Sequence, residues 1–257
     1  MSDRKRVYGP SVSVPPFFEE PEQPVFTRTR DVDRCRKIYL KLGWATKAVG
    51  SSYFESEKIK IACTVSGPRP SKTFTFRSSA KLNCEFRLSP FSTSVRQGHV
   101  QTVEEKSYSQ MIEAAISPSI LLHLYPKSSI DVYIQVIESD GALATLAAAI
   151  SCASSAIADA NIDCIDLVTG SSVLFNPNTD EYWIDPDYVD ERARAAKGSV
   201  VMGYMASLGH VTQVWERGTC SPSRLSFLTE KCIKNAKDTR LVINHALLLE
   251  KSKSEDS

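Results

Sequence analysis

The stretch YPKSSIDVYIQVIESDGALATLAAAISCASSAIADA, residues 125–160, decides the fold of this chain. Apolar and polar residues alternate over 130–136, which predicts a strand with one face packed on a core. Asp140 and Gly141 interrupt the pattern, and nearly all residues over 142–160 are small or aliphatic. That composition predicts a helix buried on most sides and packed closely against its neighbours. The turn before the helix presents backbone N–H groups at a helix N-terminus, where a phosphate can bind.

The overall composition is that of a folded globular protein. The chain has 257 residues, of which 42% are hydrophobic, enough to fill a core. Its 31 Lys and Arg residues nearly balance 30 Asp and Glu residues, so any contact with RNA must come from local patches. The seven cysteines include no Cys-x-x-Cys pair, which argues against a disulfide framework and a zinc site and predicts buried, reduced thiols. We expect no membrane span, no bound metal, no cofactor and no signal peptide.

The chain divides into an arm, a domain and a tail. Residues 1–30 are rich in proline and charge without helical or strand period, which predicts a flexible N-terminal arm. Its basic residues 4–6 fit a docking tag or, as we favour, a solvated tail. Residues 31–251 form the predicted domain, and the polar residues 252–257 close the chain.

The pattern of elements predicts an α+β domain. In the first half, the alternation predicts an antiparallel meander of strands over 38–42, 46–55, 58–65 and 80–88. A helix follows over 102–123, which Pro118 should end or kink. In the second half, strands are predicted over 165–175, 181–184, 199–205 and 210–216, and a helix from Pro222 to about 251. We therefore expect mixed or antiparallel sheets covered by helices, arranged as two βαβ-like halves.

Short motifs spread over the chain carry a family resemblance. They are GSS at 50–52, TVSGPRP at 64–70, LSPFS at 88–92, YPK at 125–127, IDV at 130–132, SDG at 139–141 and ADANI at 158–162. In order and spacing they resemble the RNase PH family, and within it a ring subunit of the eukaryotic RNA exosome core, most similar to the mRNA-transport type. The resemblance covers roughly residues 35–250 and implies an RNase PH-like domain.

The resemblance also implies where a catalytic site would lie. Active members let inorganic phosphate attack the RNA 3′ end, and arginines hold that phosphate. The family's Asp-Gly-Gly-Thr-Arg run is DGALA at 140–144 here, so Ala144 stands at the arginine position. At the second arginine region, 102–106, the chain carries Glu104 and Glu105. A carboxylate close to phosphate costs about 1–4 kcal/mol of Coulomb energy, so we predict an inactive homologue.

The family's acidic pair, used for metal and proton handling, is partly kept. Its first member corresponds to Asp185 and its second to Glu191, with Asp187 and Asp190 between them. Such a cluster could bind Mg²⁺, but a charged strand end or turn is the interpretation that we favour. The histidines lack metalloprotease spacing, and the chain contains no Gly-x-Ser-x-Gly or Walker A motif.

The resemblance implies a non-catalytic structural role in RNA processing and decay, including rRNA maturation, mRNA turnover and RNA surveillance. The chain would close a hexameric ring with other RNase PH-like subunits, whose channel threads single-stranded RNA to an associated hydrolytic 3′-5′ exoribonuclease. RNA-binding cap subunits would sit above the ring. The expected location is the nucleus, including the nucleolus, and the cytoplasm.

Basic residues among hydroxyls and aromatics over 69–79 suit an RNA backbone, although an ordinary solvated loop fits equally. The predicted RNA contacts are Arg69, Lys72, Arg77, Lys81, Arg87 and Arg96. Two alternatives stay open. One is an active phosphorolytic exoribonuclease with a rearranged phosphate site, and the other is a stand-alone module that binds single-stranded RNA.

Overall fold

The computed structural model describes Arg28 and residues 30–70, 77–177, 181–193 and 198–255. The first sheet contains β1 (Tyr39–Leu42), β2 (Gly50–Ser56), β3 (Ile59–Pro70), β4 (Lys81–Leu88) and β5 (Ser128–Glu138). The second contains β6 (Val168–Phe175), β7 (Tyr182–Ile184), β8 (Gly198–Met205) and β9 (His210–Arg217). The helices are α1 (Val103–Ile116), α2 (Ala142–Asp159), α3 (Tyr188–Ala193) and α4 (Pro222–Glu255). The α+β class is therefore confirmed.

The strand order of the first sheet is β1-β2-β3-β5-β4. The predicted meander holds for the antiparallel β1, β2 and β3, but it is wrong for β4, which pairs in parallel with β5. The chain leaves β4 through α1 before it enters β5, and such a crossover makes two strands parallel. Side chains of α1 close the outer edge of β4, because Ser109 Oγ and Glu105 Oε1 accept hydrogen bonds from the N–H groups of Phe86 and Leu88 at 2.9 and 2.8 Å.

The second sheet has the order β7-β6-β8-β9 and is antiparallel throughout. The expected βαβ-like plan therefore describes the first half only. In the second half the chain turns back from β6 to β7, and β8 then pairs antiparallel with β6. Hairpin-like pairing of this kind needs no crossover helix.

The buried helix predicted from the alanine-rich stretch is α2, which lies between the two sheets and contacts β2 and β3 on one side and β6 on the other. Every residue from Leu143 to Ile157 is buried. Two glycines allow this close packing. A Cβ atom added at Gly50 would stand 2.3 Å from the backbone N of Ala160, and one at Gly170 would stand 2.0 Å from the carbonyl O of Ala147. By length and composition alone α2 could span a membrane, but 83% of it is buried inside the fold, as in the core helix of a globular domain.

Local chemistry fixes the limits of α1. Thr102 and Glu105 form a capping box at its start, in which each side chain accepts a hydrogen bond from the backbone N–H of the other residue. The helix was predicted to reach residue 123 unless Pro118 ended it, and it ends at Ile116. Two short 3₁₀ turns, Ser117–Ser119 and Leu122–Leu124, follow. The effect of Pro118 is confirmed, because proline lacks the N–H that the next helical turn needs.

Candidate functional site

The N-terminus of α2 already holds an anionic group, the carboxylate of Glu191. Its Oε2 and Oε1 atoms accept hydrogen bonds from the N–H groups of Ala142 and Leu143, each at 2.9 Å. Gly141 precedes the helix with φ +99°, and a Cβ added there would stand 2.7 Å from Glu191 Oε1. Burial raises the pKa of Glu191 above its usual value, and the two N–H bonds act against that rise. The position at which a helix N-terminus would hold a phosphate is thus filled by the chain itself.

Arg36 lies next to this helix end and organises the acidic residues around it. Its side chain is fully buried. The guanidinium binds Asp185 through two N–H groups, with Nη2 2.7 Å from Oδ1 and Nε 2.9 Å from Oδ2, and Nη1 lies 2.9 Å from Asp140 Oδ2. Burial raises the pKa of Asp185, but the hydrogen bonds and charge of Arg36 outweigh burial and hold it below the usual value. Arg36 and Asp185 therefore form a buried, bidentate ion pair.

Two further arginines bind the remaining carboxylates of the cluster. Arg30 pairs with Asp185 at 3.2 Å and also with Asp187. Arg28 pairs with Asp190 at 3.1 Å and donates a hydrogen bond to the carbonyl of Ile184 at 2.8 Å. Arg28 and Arg30 fall in the segment predicted to be a flexible arm, yet both contact the domain. The limits of arm, domain and tail otherwise stay a prediction.

The acidic run 185–191 takes the form of a turn followed by a short helix. Asp185 follows β7 with φ +51°, in the left-handed region, and its N–H donates to the carbonyl of Ser172 at 3.0 Å. Helix α3 then carries Asp190 and Glu191. The prediction of a strand end or turn missed α3. This helix has only six residues, too few for a helical period to show in the sequence.

The acidic cluster does not fit a divalent cation. Within the described residues, no three His, Cys, Asp or Glu side chains are placed to hold a metal ion. The carboxylates of Asp140, Asp185 and Asp190 instead accept hydrogen bonds from guanidinium groups. A cation would have to displace those groups, because carboxylate oxygens would be its main ligands.

Three of the six predicted RNA-binding residues lie at one end of the first sheet. Arg69 at the end of β3 and Lys81 at the start of β4 are both register partners of Ser129 on β5. The carbonyl of Arg77 accepts a hydrogen bond from the N–H of Lys127 at 3.3 Å, one residue before β5 begins. The side chains of Arg69, Arg77 and Lys81 are exposed. We call these three residues the sheet-end patch.

The structure does not bring the other predicted RNA contacts to this patch. Arg87 is the register partner of Gln135, which lies six residues, or about 20 Å, along β5 from Ser129. Its Nε atom is 2.6 Å from Glu85. Arg96 lies in the connection between β4 and α1. Lys72 is outside the described residues.

Comparison with known proteins assigns the family. The family model for RNase PH, described as the 3′ exoribonuclease family, domain 1, matches residues 34–163, about half of the chain. The chain belongs to the RNase PH family. It is 99% identical over 256 residues to the exosome complex component mtr3 of Schizosaccharomyces pombe, covering all of both chains. It is 30% identical over 236 residues to the human exosome complex component MTR3, covering 83% of this chain and 86% of that protein.

Solved structures agree on the RNase PH fold. Rice Rrp46 matches with a TM-score of 0.73 at 17% identity, covering 84% of this chain and 97% of that one. At this identity the likeness shows the fold alone. The family resemblance read from the short motifs, and the fold that it implied, are both confirmed.

The structure places the three residues that were predicted to stand at the RNase PH arginine positions. Ala144 is buried in the core of α2. Glu105 is buried in the capping box of α1, where it also binds β4, whereas Glu104 is exposed on the first turn. None of these three side chains can supply a positive charge to a phosphate.

The sequence prediction missed Arg28, Arg30 and Arg36 as site residues. A signal was present in the sequence. The run RTRDVDRCR, residues 28–36, carries arginine at positions 28, 30, 34 and 36. In an extended chain alternate residues point to the same side, so such spacing indicates a row of cations facing one surface. The predicted boundary between arm and domain, at residue 30, divided this run and hid that pattern.

Proposed function

We propose that this RNase PH family member is a non-catalytic, structural subunit of the RNA exosome core ring. The observation that carries the proposal is the carboxylate of Glu191 on the N–H groups of Ala142 and Leu143. Phosphorolysis needs inorganic phosphate as the nucleophile, and here the helix end that would bind it is occupied by a negative charge. The relatives that are named as exosome components support the assembly role.

Electrostatics around this helix end also oppose phosphate binding. The guanidinium groups of Arg28, Arg30 and Arg36 pack against the acidic cluster, and each already pairs with an aspartate. A phosphate would therefore meet no unpaired guanidinium among these three arginines. Ala144, at the position where active members carry an arginine, adds no charge. The acidic pair Asp185 and Glu191 then serves to hold α2, β7 and residues 30–36 together.

In the proposed assembly the chain closes a hexameric ring with other RNase PH-like subunits. Cap subunits that bind RNA and a hydrolytic 3′-5′ exoribonuclease complete the particle, in which single-stranded RNA passes through the ring. We place the particle in the nucleus, including the nucleolus, and in the cytoplasm. Its tasks are rRNA maturation, mRNA turnover and RNA surveillance.

Removing the Glu191 carboxylate should expose the helix end. We expect Glu191→Ala to lower the free energy of unfolding by about 0.5–2 kcal/mol, the usual cost of a lost N-terminal cap. Millimolar phosphate should then raise the melting temperature of the variant more than that of the wild type, because only the variant has free N–H groups at α2. Chloride at equal ionic strength is the control. Equal, saturable stabilisation of both proteins by phosphate would contradict an occupied site.

The sheet-end patch is the part of the chain that we propose to contact RNA. Arg69 and Lys81 lie on the two strands that flank β5, and the exposed Arg77 precedes β4. Exposed cations at one sheet end suit sequence-independent contact with phosphates. Replacing Arg69, Arg77 and Lys81 together with Ala in the assembled ring should reduce the slope of log affinity against log salt for single-stranded RNA by about 2. Arg87→Ala, on the same sheet but at its other end, is the matched control. An unchanged slope in the triple variant would remove the patch from the RNA path.

A further inference from the structure

Four exposed apolar side chains lie in the segment that runs from the end of β4 to the first residue of α1. Phe91, Val95, Val100 and Val103 expose 68%, 73%, 69% and 83% of their surface. We call these four residues the apolar loop. Soluble domains seldom leave several large apolar groups exposed within one short segment unless that surface binds something.

Hydrogen bonds fix the first part of the apolar loop, around residues 92–95. The N–H of Ser92 donates to the carbonyl of Ser89 at 2.9 Å, and Ser92 in turn accepts a bond from the N–H of Ser139 at 2.9 Å. The hydroxyl of Thr93 donates to the carbonyl of Val95 at 2.7 Å. Because residues 92–95 already make these bonds, binding to this part of the loop costs less further conformational entropy.

The charges beside the apolar loop are mainly positive. Arg96 lies inside the loop and is exposed. Ser94 Oγ is 3.0 Å from the hydroxyl of Tyr188, and the exposed Arg192 lies 5.8 Å from the centre of that tyrosine ring. Neither arginine is in an ion pair within the part of the chain that the structure describes. Glu104 is the one exposed carboxylate between Phe91 and Lys106.

The side-chain types distinguish a polypeptide partner from RNA. Single-stranded RNA is bound by stacking its bases on aromatic rings, and three of the four side chains are valines, which cannot stack with a base. Valines instead bury aliphatic side chains of another protein, and arginines beside an apolar surface favour carboxylates around it.

We propose that the apolar loop is a docking surface for an acidic polypeptide segment with aliphatic side chains, carried by a partner in the exosome assembly. The proposal rests on the proposed function, because it places the partner in that assembly. The aliphatic side chains cover the three valines and Phe91, and the carboxylates face Arg96 and Arg192.

Photo-crosslinking in the purified, reconstituted assembly tests this docking surface. A benzophenone amino acid at Val95 should crosslink to a polypeptide, and mass spectrometry should locate the crosslink in a segment rich in Asp, Glu and aliphatic residues. The same group at Val49, a valine that is 53% exposed in the turn before β2, is the control and should give no such product. A crosslink from Val95 to RNA or to a basic segment, or the same product from Val49, would overturn the proposal.

Charge reversal provides an independent test. The double variant Arg96→Glu with Arg192→Glu should retain the crosslinked partner about tenfold less tightly while the ring still forms. Unchanged retention, or loss of the ring itself, would contradict docking of a separate segment. Native mass spectrometry of the same samples distinguishes failure of the proposed function from failure of the docking proposal. A wild-type chain that enters no ring contradicts the proposed function, whereas an intact ring with unchanged retention contradicts the docking proposal alone.

Discussion

Replacing Arg36 with Met is expected to lower the free energy of unfolding by about 3–5 kcal/mol at neutral pH. The guanidinium of Arg36 is fully buried and binds both Asp185 and Asp140. Methionine fills part of the space but leaves both carboxylates without their main partner in a poorly solvated place. Urea unfolding followed by circular dichroism measures the change. Arg87→Met removes an arginine from an exposed pair with Glu85 and should cost about 0–1 kcal/mol.

The decrease in the free energy of unfolding caused by Arg36→Met should become smaller as the pH falls. In the wild type the pKa of Asp185 is lowered, so its contribution to stability is complete above the unfolded-state pKa and is lost as the pH falls through the lower, folded-state pKa. In Arg36→Met, burial acts on Asp185 without that partner and raises its pKa. Protonation of Asp185 at low pH therefore removes part of the destabilisation of the variant. The difference between the two proteins should therefore be smaller near pH 4 than at pH 7. A difference that grows toward acid would contradict the ion-pair account.

Gly170→Ala is expected to destabilise the fold by about 1–3 kcal/mol or more, although it adds a single methyl group. That methyl carbon would stand 2.0 Å from the carbonyl O of Ala147 and 2.8 Å from its Cα, so β6 and the backbone of α2 would have to separate. Because every residue over 143–157 of α2 is buried, such a shift disturbs the contacts of α2 with both sheets.

A matched glycine shows whether the effect comes from packing. A Cβ added at Gly98 would meet nothing within 4 Å, so Gly98→Ala should leave stability nearly unchanged or raise it by up to about 1 kcal/mol. Thermal unfolding of both variants measures the difference. Equal stabilities would show that the fold does not depend on the close approach of β6 to α2.

The elements that the sequence predicts well are those with a local pattern. The alternation over 130–136 and the run of small residues over 142–160 were enough to place β5 and α2, and Pro118 marked the end of α1. The position of β4 was not predictable in this way, because strand order depends on which distant strands pair. Helix α3 was missed because six residues contain too little of a helical period.

Asp185 and Glu191 were both singled out from the sequence, but the hydrogen bonds that they make could not be predicted from it. The family motifs placed Ala144, Asp185 and Glu191 at degenerate positions, and they lie around or inside the start of α2. That Glu191 binds the N–H groups of Ala142 and Leu143 follows from contacts across 49 and 48 residues, which no local pattern reports. Arg36 pairs with Asp185 across 149 residues for the same reason.

Whether this chain is catalytic is decided by a measurement of phosphate-dependent release of nucleoside diphosphates from single-stranded RNA. It should be made on a ring reconstituted from this chain and its RNase PH-like partners, after native mass spectrometry has verified the stoichiometry. We expect a hexameric ring that releases no nucleoside diphosphate, with or without phosphate, and the same result for the chain alone. Release by this chain alone that appears only when phosphate is added would show that the chain carries an active phosphorolytic site.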